Sequence, residues 1–241
     1  MAKRAKTSKS KVKSPEKPSI KRRIVRLLLR TISVVFLLAV LVTILGAFIN
    51  PPTNIYMSSE SRRLGGIKQT WVALEDVAPV MARSAVAAED ANFCKHWGFD
   101  LAAIKMAIAQ GSSRGASTLS QQTVKNVYLW QGRSWIRKAM EALMTPLVEA
   151  IWTKRRIVEV YINIAEFDEG VFGVDAAAQH YFGVKPSQLT ATQAARLAAI
   201  LPSPKTRSAS RPSNAVRKRT RQIISGAATI RADGRADCFE S

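Results

Sequence analysis

The chain has two cysteines and two histidines in 241 residues, and each shortage excludes something. Cys94, Cys238, His96 and His180 cannot make a four-ligand structural zinc site without help from carboxylates, and no CxxC pair is present. A disulfide framework is excluded on the same count. A single Cys94–Cys238 bridge would need an oxidising compartment, and it is not expected because Cys238 lies in a terminal segment that should fray. Ten prolines and twelve glycines are too few for collagen-like or proline-rich low complexity, and 47% hydrophobic residues are too many for a wholly disordered chain. Acidic residues are also scarce, 17 against 37 Lys and Arg, which leaves a net charge of +20.

The position of that charge matters more than its size. Residues 1–30 hold twelve Lys/Arg and one acid, residues 31–201 sixteen against thirteen, and residues 202–241 nine against three. The body of the protein is therefore close to neutral between two basic ends, which argues against a nucleic-acid-binding surface. Between Thr31 and Ile49 there is no charged residue for 19 positions. At about 1.5 Å per residue, a helix of that length crosses a hydrocarbon core of roughly 30 Å. Pro51 and Pro52 stop it. The run is longer than the apolar part of a signal peptide and lacks a small-x-small cleavage site, so an uncleaved anchor is expected. The flanking basic residues place its N-terminus in the cytoplasm and residues 50–241 outside.

Beyond a linker at 50–66 the apolar spacing is helical. It predicts helices over Val77–Ala88, Leu101–Gln110, Leu119–Trp130, Trp135–Ile151, Arg155–Ile164, Ala176–Tyr181, Ala191–Leu201 and Ala215–Ile230. Asp100, Ser117 or Thr118, Thr153, Asp175, Thr190 and Ser213 are candidate N-caps, and Pro146 is expected to bend a long helix. Strand patterns are scarce, with one short piece near Gly170–Val174. The expected class is all-α, with a groove between helical lobes and a basic tail from residue 205.

Four segments carry chemistry. The first, Glu89-Asp90-Ala91-Asn92-Phe93-Cys94-Lys95-His96-Trp97-Gly98, ends an apolar helix with two carboxylates that the helix dipole disfavours. Alone, such a pair is an ordinary solvated edge. Beside Phe93 and Trp97, though, a desolvated carboxylate suits general-base work. The second, Gly115-Ala116-Ser117-Thr118-Leu119-Ser120-Gln121-Gln122-Thr123-Val124-Lys125-Asn126, opens a helix with hydroxyls, amides and a lysine, which suits an anion or a sugar, unless it is merely a capped helix with a polar face. The overlapping Gly111–Gly115 fits G-x-S-x-G, but a nucleophile elbow needs a preceding strand and Leu101–Gln110 reads as helix. The third places Arg133, Arg137 and Glu141 at i, i+4 and i+8, a cationic face or a solvated ladder. The fourth, Lys154 to Asn163, is an amphipathic helix whose periodic residues read as core.

In this order the segments match E-D-x-x-F-x-x-H-x-G, G-x-S-T-[IL]-[ST]-Q-Q-x-x-K-N, R-K-x-x-E and K-x-x-I-x-E-x-Y-x-N. The set resembles glycosyltransferase family 51, the peptidoglycan glycosyltransferases, over about residues 67–204. Phe167-Asp168-Glu169 departs from the family's aromatic-Gly-Pro and puts that loop's shape in doubt. Since the chain ends soon afterwards, no transpeptidase domain is expected to follow.

The resemblance implies a lysozyme-like, two-lobed helical domain behind one transmembrane helix, with a jaw dipping into the membrane. It implies polymerisation of lipid II, with inversion and release of a polyprenyl diphosphate. On that basis Glu89 matches the general base and Glu141 a second carboxylate on the donor side. Lys125 and Arg133, with Arg137 and Lys138 nearby, would meet the diphosphate; Ser117, Thr118, Gln121, Gln122 and Asn126 would line the donor path; Asp90 and His96 would orient the Glu89 loop. No cofactor is expected to be required, and a divalent cation (Mg or Mn) at the diphosphate is left open. The implied partners are lipid II and the growing glycan strand, membrane phospholipid, and cell-wall synthesis and division proteins, at the inner membrane of a bacterium with a periplasm. A lysozyme-like hydrolase or lytic transglycosylase is the competing enzyme reading, and its weakness is the supply of cations, which an unphosphorylated polymer would not need. A membrane-tethered binder acting through residues 205–221 would explain the tail but not the four segments.

Overall fold

The computed structural model describes residues 20–109 and 117–240. The G-x-S-x-G run, the start of the second segment, Gln110 and the first 19 residues lie outside the described part. The chain divides after Val40 into two units. The first contributes most of α1 (Ile20–Phe48), a helix whose leucines, isoleucines, valines and two phenylalanines are almost all exposed. It is long and apolar enough to cross a membrane.

The second unit runs from Leu41 and begins with the last turns of α1. These are seated on the rest of that unit: Trp152 Nε1 donates to Thr43 O at 2.7 Å, and the Arg156 guanidinium donates to Gly46 O (3.1 Å), Ile49 O (3.0 Å) and Asn50 Oδ1 (2.7 Å). Carbonyls that a helix end leaves without intrahelical partners are thereby satisfied. A Cβ at Gly46 would stand 2.6 Å from Trp152 Cζ2 and 2.7 Å from the Tyr128 hydroxyl, so only glycine permits this approach.

After α1 come α2 (Ile55–Leu64), β1 (Lys68–Gln69), α3 (Pro79–Glu89), α4 (Leu101–Ala109), α5 (Leu119–Tyr128), α6 (Trp135–Ile151), α7 (Lys154–Ile164), β2 (Glu166–Asp168), β3 (Val171–Phe172), α8 (Val174–Phe182), α9 (Ala191–Ile200), α10 (Asn214–Ala232) and α11 (Asp237–Glu240). The all-α expectation holds, with a small sheet of order β1-β3-β2 added: β1 runs parallel to β3, with Lys68 opposite Val171, and β2 is antiparallel to it. Thr118, Thr153, Thr190 and Ser213 cap their helices as predicted, whereas α8 starts after Gly173 and Asp175 lies inside it. Pro146 is accommodated within a continuous α6. The stretch expected to be a linker contains α2, capped by Asn54. Asp168 and Glu169, in the loop that departs from the family pattern, form an irregular β2–β3 turn closed by Gly170 at φ +69°.

Two packing groups make the core. Helices α3, α9 and α10 meet through small and branched residues such as Ala85, Ala194, Ala198, Val216 and Ile223, while α5 packs on α6 and α7. Residues 205–240 are therefore not an appended tail. Their basic side chains Arg217, Lys218 and Arg221 lie on the outer face of α10, and its inner face is core. The second correction is covalent, because Cys94 and Cys238 are joined in a disulfide across 144 positions. The terminal segment does not fray, because Phe239 is fully buried beside Phe93.

The fourth sequence segment is scaffold, as its periodicity implied. Asn163, fully buried in α7, donates to Val72 O and Glu159 O and accepts from Val72 N, each at 2.9 Å. Replacing Asn163 with Ala strands both backbone groups of Val72, and the expected loss is about 2–3 kcal/mol, measured by thermal or urea unfolding.

Candidate active site

Glu89 is the last residue of α3 and Asp90 its C-cap, so two carboxylates sit at the negative end of a helix. Asp90 is buried, and both of its oxygens are used: Oδ1 bonds His96 Nε2 at 2.8 Å, and Oδ2 accepts from the Leu119 backbone N–H at 2.9 Å. The second of these bonds places Asp90 at the positive start of α5. Glu89 meets polar partners rather than the apolar setting expected from Phe93 and Trp97. Gln122 Nε2 donates to Glu89 Oε2 at 3.0 Å, and the Arg219 guanidinium lies 3.4 Å from Oε1 while donating to Ala88 O at 3.2 Å. Phe93 is fully buried and Trp97 exposed. Arg219 comes from α10, in the stretch whose composition reads as a basic tail. Nothing in the local pattern singles it out among the neighbouring Arg217, Lys218 and Arg221.

Gln122 is itself oriented. Tyr161, buried in α7, donates its hydroxyl to Gln122 Oε1 at 3.3 Å. Burial drives the Tyr161 hydroxyl well above its ordinary pKa, with the Glu89 charge adding to the shift, so the group stays protonated and donating.

Two cavities open on either side of this bridge. One, of about 230 Å³, is lined by Glu89, Asp90, Asn92, Asp100, Ser117 and Thr118. The other, of about 480 Å³, is lined by Gln122, Lys125, Asn126, Tyr161, Glu166 and Lys205 among others. Its far wall holds a charged cluster absent from the sequence expectations: Tyr56 donates to Glu166 at 2.6 Å, and Lys205 bonds Glu60 at 2.8 Å.

Lys125 is half-buried and its ammonium, among the described residues, makes no ion pair or hydrogen bond. Desolvation is the main reason its ammonium is held below the ordinary lysine range; Arg137 and Lys138 add repulsion, while Glu141 and Glu89 oppose the shift. It is a cation poised to gain from an incoming anion.

Glu141 is buried and both of its oxygens are taken, Oε2 by Arg137 at 2.7 Å and Oε1 by Lys138, whose ammonium also reaches Ser117 Oγ at 3.0 Å. The expected face of Arg133, Arg137 and Glu141 is only half realised. Helix α6 starts at Trp135 with Ser134 as its cap, so Arg133 precedes the helix, exposed and without a partner among the described residues. Thr118 and Gln121 are buried and spend their polar groups on the α5 capping box, and Thr118 Oγ1 donates to Gly98 O at 2.6 Å. Asn126 borders the larger cavity and accepts from Gln131 at 3.3 Å.

A carboxylate bordering one cavity is bonded to a glutamine that lines the next, where a lysine without an ion pair also sits; such groups can chemically take a proton and meet an anion. The family described as Transglycosylase matches residues 58–228, and the chain belongs to it. The match takes in Arg219 and most of α10. The chain is 61% identical over 193 residues to a biosynthetic peptidoglycan transglycosylase of Jannaschia sp., covering 80% of this chain and 81% of that one. It is 45% identical over 225 residues to the protein of that name from Caulobacter vibrioides, covering 90% and 98%.

Two outcomes test this geometry. Arg219→Ala is expected to lower kcat about 10- to 100-fold with little loss of fold, as removal of a charge-assisted contact to Glu89 would. Because Lys125 must be protonated to hold an anion and its pKa is lowered, kcat/KM should fall on the alkaline side below 10.5. Lys125→Arg should move that limb upward in a pH–rate profile.

Proposed function

We propose that the chain polymerises lipid II into glycan strands for cell-wall synthesis, by inverting transfer at this site. The observation that carries the proposal is the bond from Glu89, which lines one cavity, to Gln122, which lines the next together with Lys125. Glu89 takes the proton of the attacking sugar 4-hydroxyl as that oxygen bonds to the anomeric carbon of the lipid-linked strand. The anomeric carbon–oxygen bond to the diphosphate breaks, and the polyprenyl diphosphate leaves with the electron pair. Lys125 meets the charge developing on the leaving group, with Arg133, Arg137 and Lys138 close by in sequence to share it. Since both Glu141 oxygens are occupied, its part is to hold Arg137 and Lys138 rather than to react. Gln122 and Asn126 line the donor path; Ser117 belongs there too, held by Lys138. Asp90 and His96 keep the Glu89 loop in place. No group of three or more His, Cys, Asp and Glu side chains suited to a metal occurs among the described residues, and no step is routed through a divalent ion.

The setting follows from the helix and its flanks. Residues 1–30 hold the N-terminus in the cytoplasm and the catalytic unit faces the periplasm, a placement that the Cys94–Cys238 bond supports because such bonds persist in oxidising compartments. Leu101 and Ile108 on α4, and Trp135, Ile136 and Leu143 of α6, are exposed apolar side chains that suit contact with lipid near the substrate's own membrane anchor.

Purified full-length protein incubated with labelled lipid II should yield polymer resolvable by gel electrophoresis. Glu89→Gln should abolish it, and Lys125→Ala should cut the rate by about 100-fold or more. Polymer made at the normal rate by Glu89→Gln would remove the base assignment. Digestion of finished peptidoglycan without synthesis would favour a hydrolase.

A further inference from the structure

The loop that follows Glu89 is held from behind by the end of the chain. Arg235 donates to Ala91 O at 3.2 Å, Phe239 packs on Phe93 with ring centroids 6.4 Å apart, and Cys238 is bonded to Cys94. These three grips cover the loop between the catalytic carboxylate and His96. Helix α11 has only four residues, too short to persist alone. Besides the buried Phe239 and its packing against α7, its polar ties include Arg83 to Glu240 at 3.2 Å and Arg155 to Phe239 O at 3.5 Å, both at partly exposed positions. The disulfide is the strongest of these links. Both cysteines are half-buried, so a small dithiol can reach them.

We propose that α11 is a positioning latch for Glu89, closed by the Cys94–Cys238 bond, so that the transfer rate depends on the oxidation state of this one disulfide. The proposal rests on the assignment of Glu89 as base. Opening requires a dithiol reductant. Its thiolate attacks one cysteine sulfur, the other cysteine leaves as a thiolate, and the reductant's second thiol displaces the mixed disulfide. The products are two cysteine thiols and the oxidised, cyclic reductant. Phe93 then loses its backing, and the loop that fixes Glu89 against Gln122 loosens. Small displacements of a catalytic group are enough to slow the reaction while leaving substrate binding by the α5 and α6 groups intact.

The test uses the full chain in detergent, assayed with labelled lipid II before and after dithiothreitol. Opening is counted by alkylation and mass spectrometry at the two cysteines, and helicity is followed by circular dichroism at the assay temperature. The expected result is a fall in kcat of about fivefold or more, with KM changed by less than about twofold, recovered when the protein is reoxidised. Cys94→Ala/Cys238→Ala should show the lowered rate and no response to the dithiol. Two alkylated thiols with undiminished kcat would overturn the latch. If the reduced protein melts at the assay temperature, Phe239→Ala, which keeps the bond but removes the packing behind Phe93, should lower kcat in the same way, and full activity in that variant would also overturn it. An active Glu89→Gln enzyme would instead refute the base assignment, whatever the disulfide does.

Discussion

The Asp90 carboxylate is the joint on which the site depends. One oxygen fixes His96 and with it the far end of the loop after Glu89; the other takes the first-turn N–H of Leu119. The C-terminus of α3 is thereby docked on the N-terminus of α5, negative end to positive end, and a placement that the α3 dipole disfavours is offset by the α5 dipole. Gln122 and Lys125 stand about one and two turns along the same helix, so the bond at the start of α5 ties their positions to that of Glu89. The hydroxyl of Thr118 closes the other side of the loop on Gly98, which has φ +84° and no room for a side chain, because a Cβ would stand 2.6 Å from Thr145.

Behind this joint, buried charge is tightly paired. Glu149 accepts from Ser120 and Lys154, and the Lys154 ammonium also reaches His96 O at 2.9 Å and lies 4.2 Å from the Phe93 ring centre. Glu141 is matched by Arg137 and Lys138. Breaking such a pair leaves a buried charge uncompensated, which is far costlier than the pair's net worth. The contrast with Lys125 is therefore informative. A half-buried cation without an ion-pair partner keeps part of its desolvation cost, and an anion entering the cavity beside it would offset that cost.

Much of the fold was legible because helix spacing and caps are local signals. Trp135–Ile151 has the predicted bounds, and Thr153, Thr190 and Ser213 cap where their hydroxyls suggested. The motif residues Glu89, Gln122 and Lys125 do converge. What failed was non-local. Arg219 is one of several basic residues in its stretch, and only the packing of α10 on α3 selects it. The Cys94–Cys238 bond joins positions far apart in sequence, and a terminal cysteine looks frayed until Phe239 is seen to be core. Arg133 was misplaced for the opposite reason: its spacing to Arg137 is helical, but Ser134 accepts from the Arg137 N–H and starts the helix after it.

The last turns of α1 and the site are joined by α7. Arg156, in its first turn, caps the end of the apolar helix, and Tyr161, five positions on, orients Gln122 against Glu89. At about 1.5 Å per residue those two functions are some 7.5 Å apart along the helix axis. The basic residue at this junction is also fixed from its other side, since Arg156 pairs with Glu159, whose carboxylate holds Leu74 N, and lies 5.4 Å from the Trp71 ring centre. Helix α7 thus runs from the residue that closes the end of α1 to the residue behind Glu89. Arg156 closes α1 and Arg219 meets Glu89, so two of the basic side chains behind the charge of +20 are spent inside the fold.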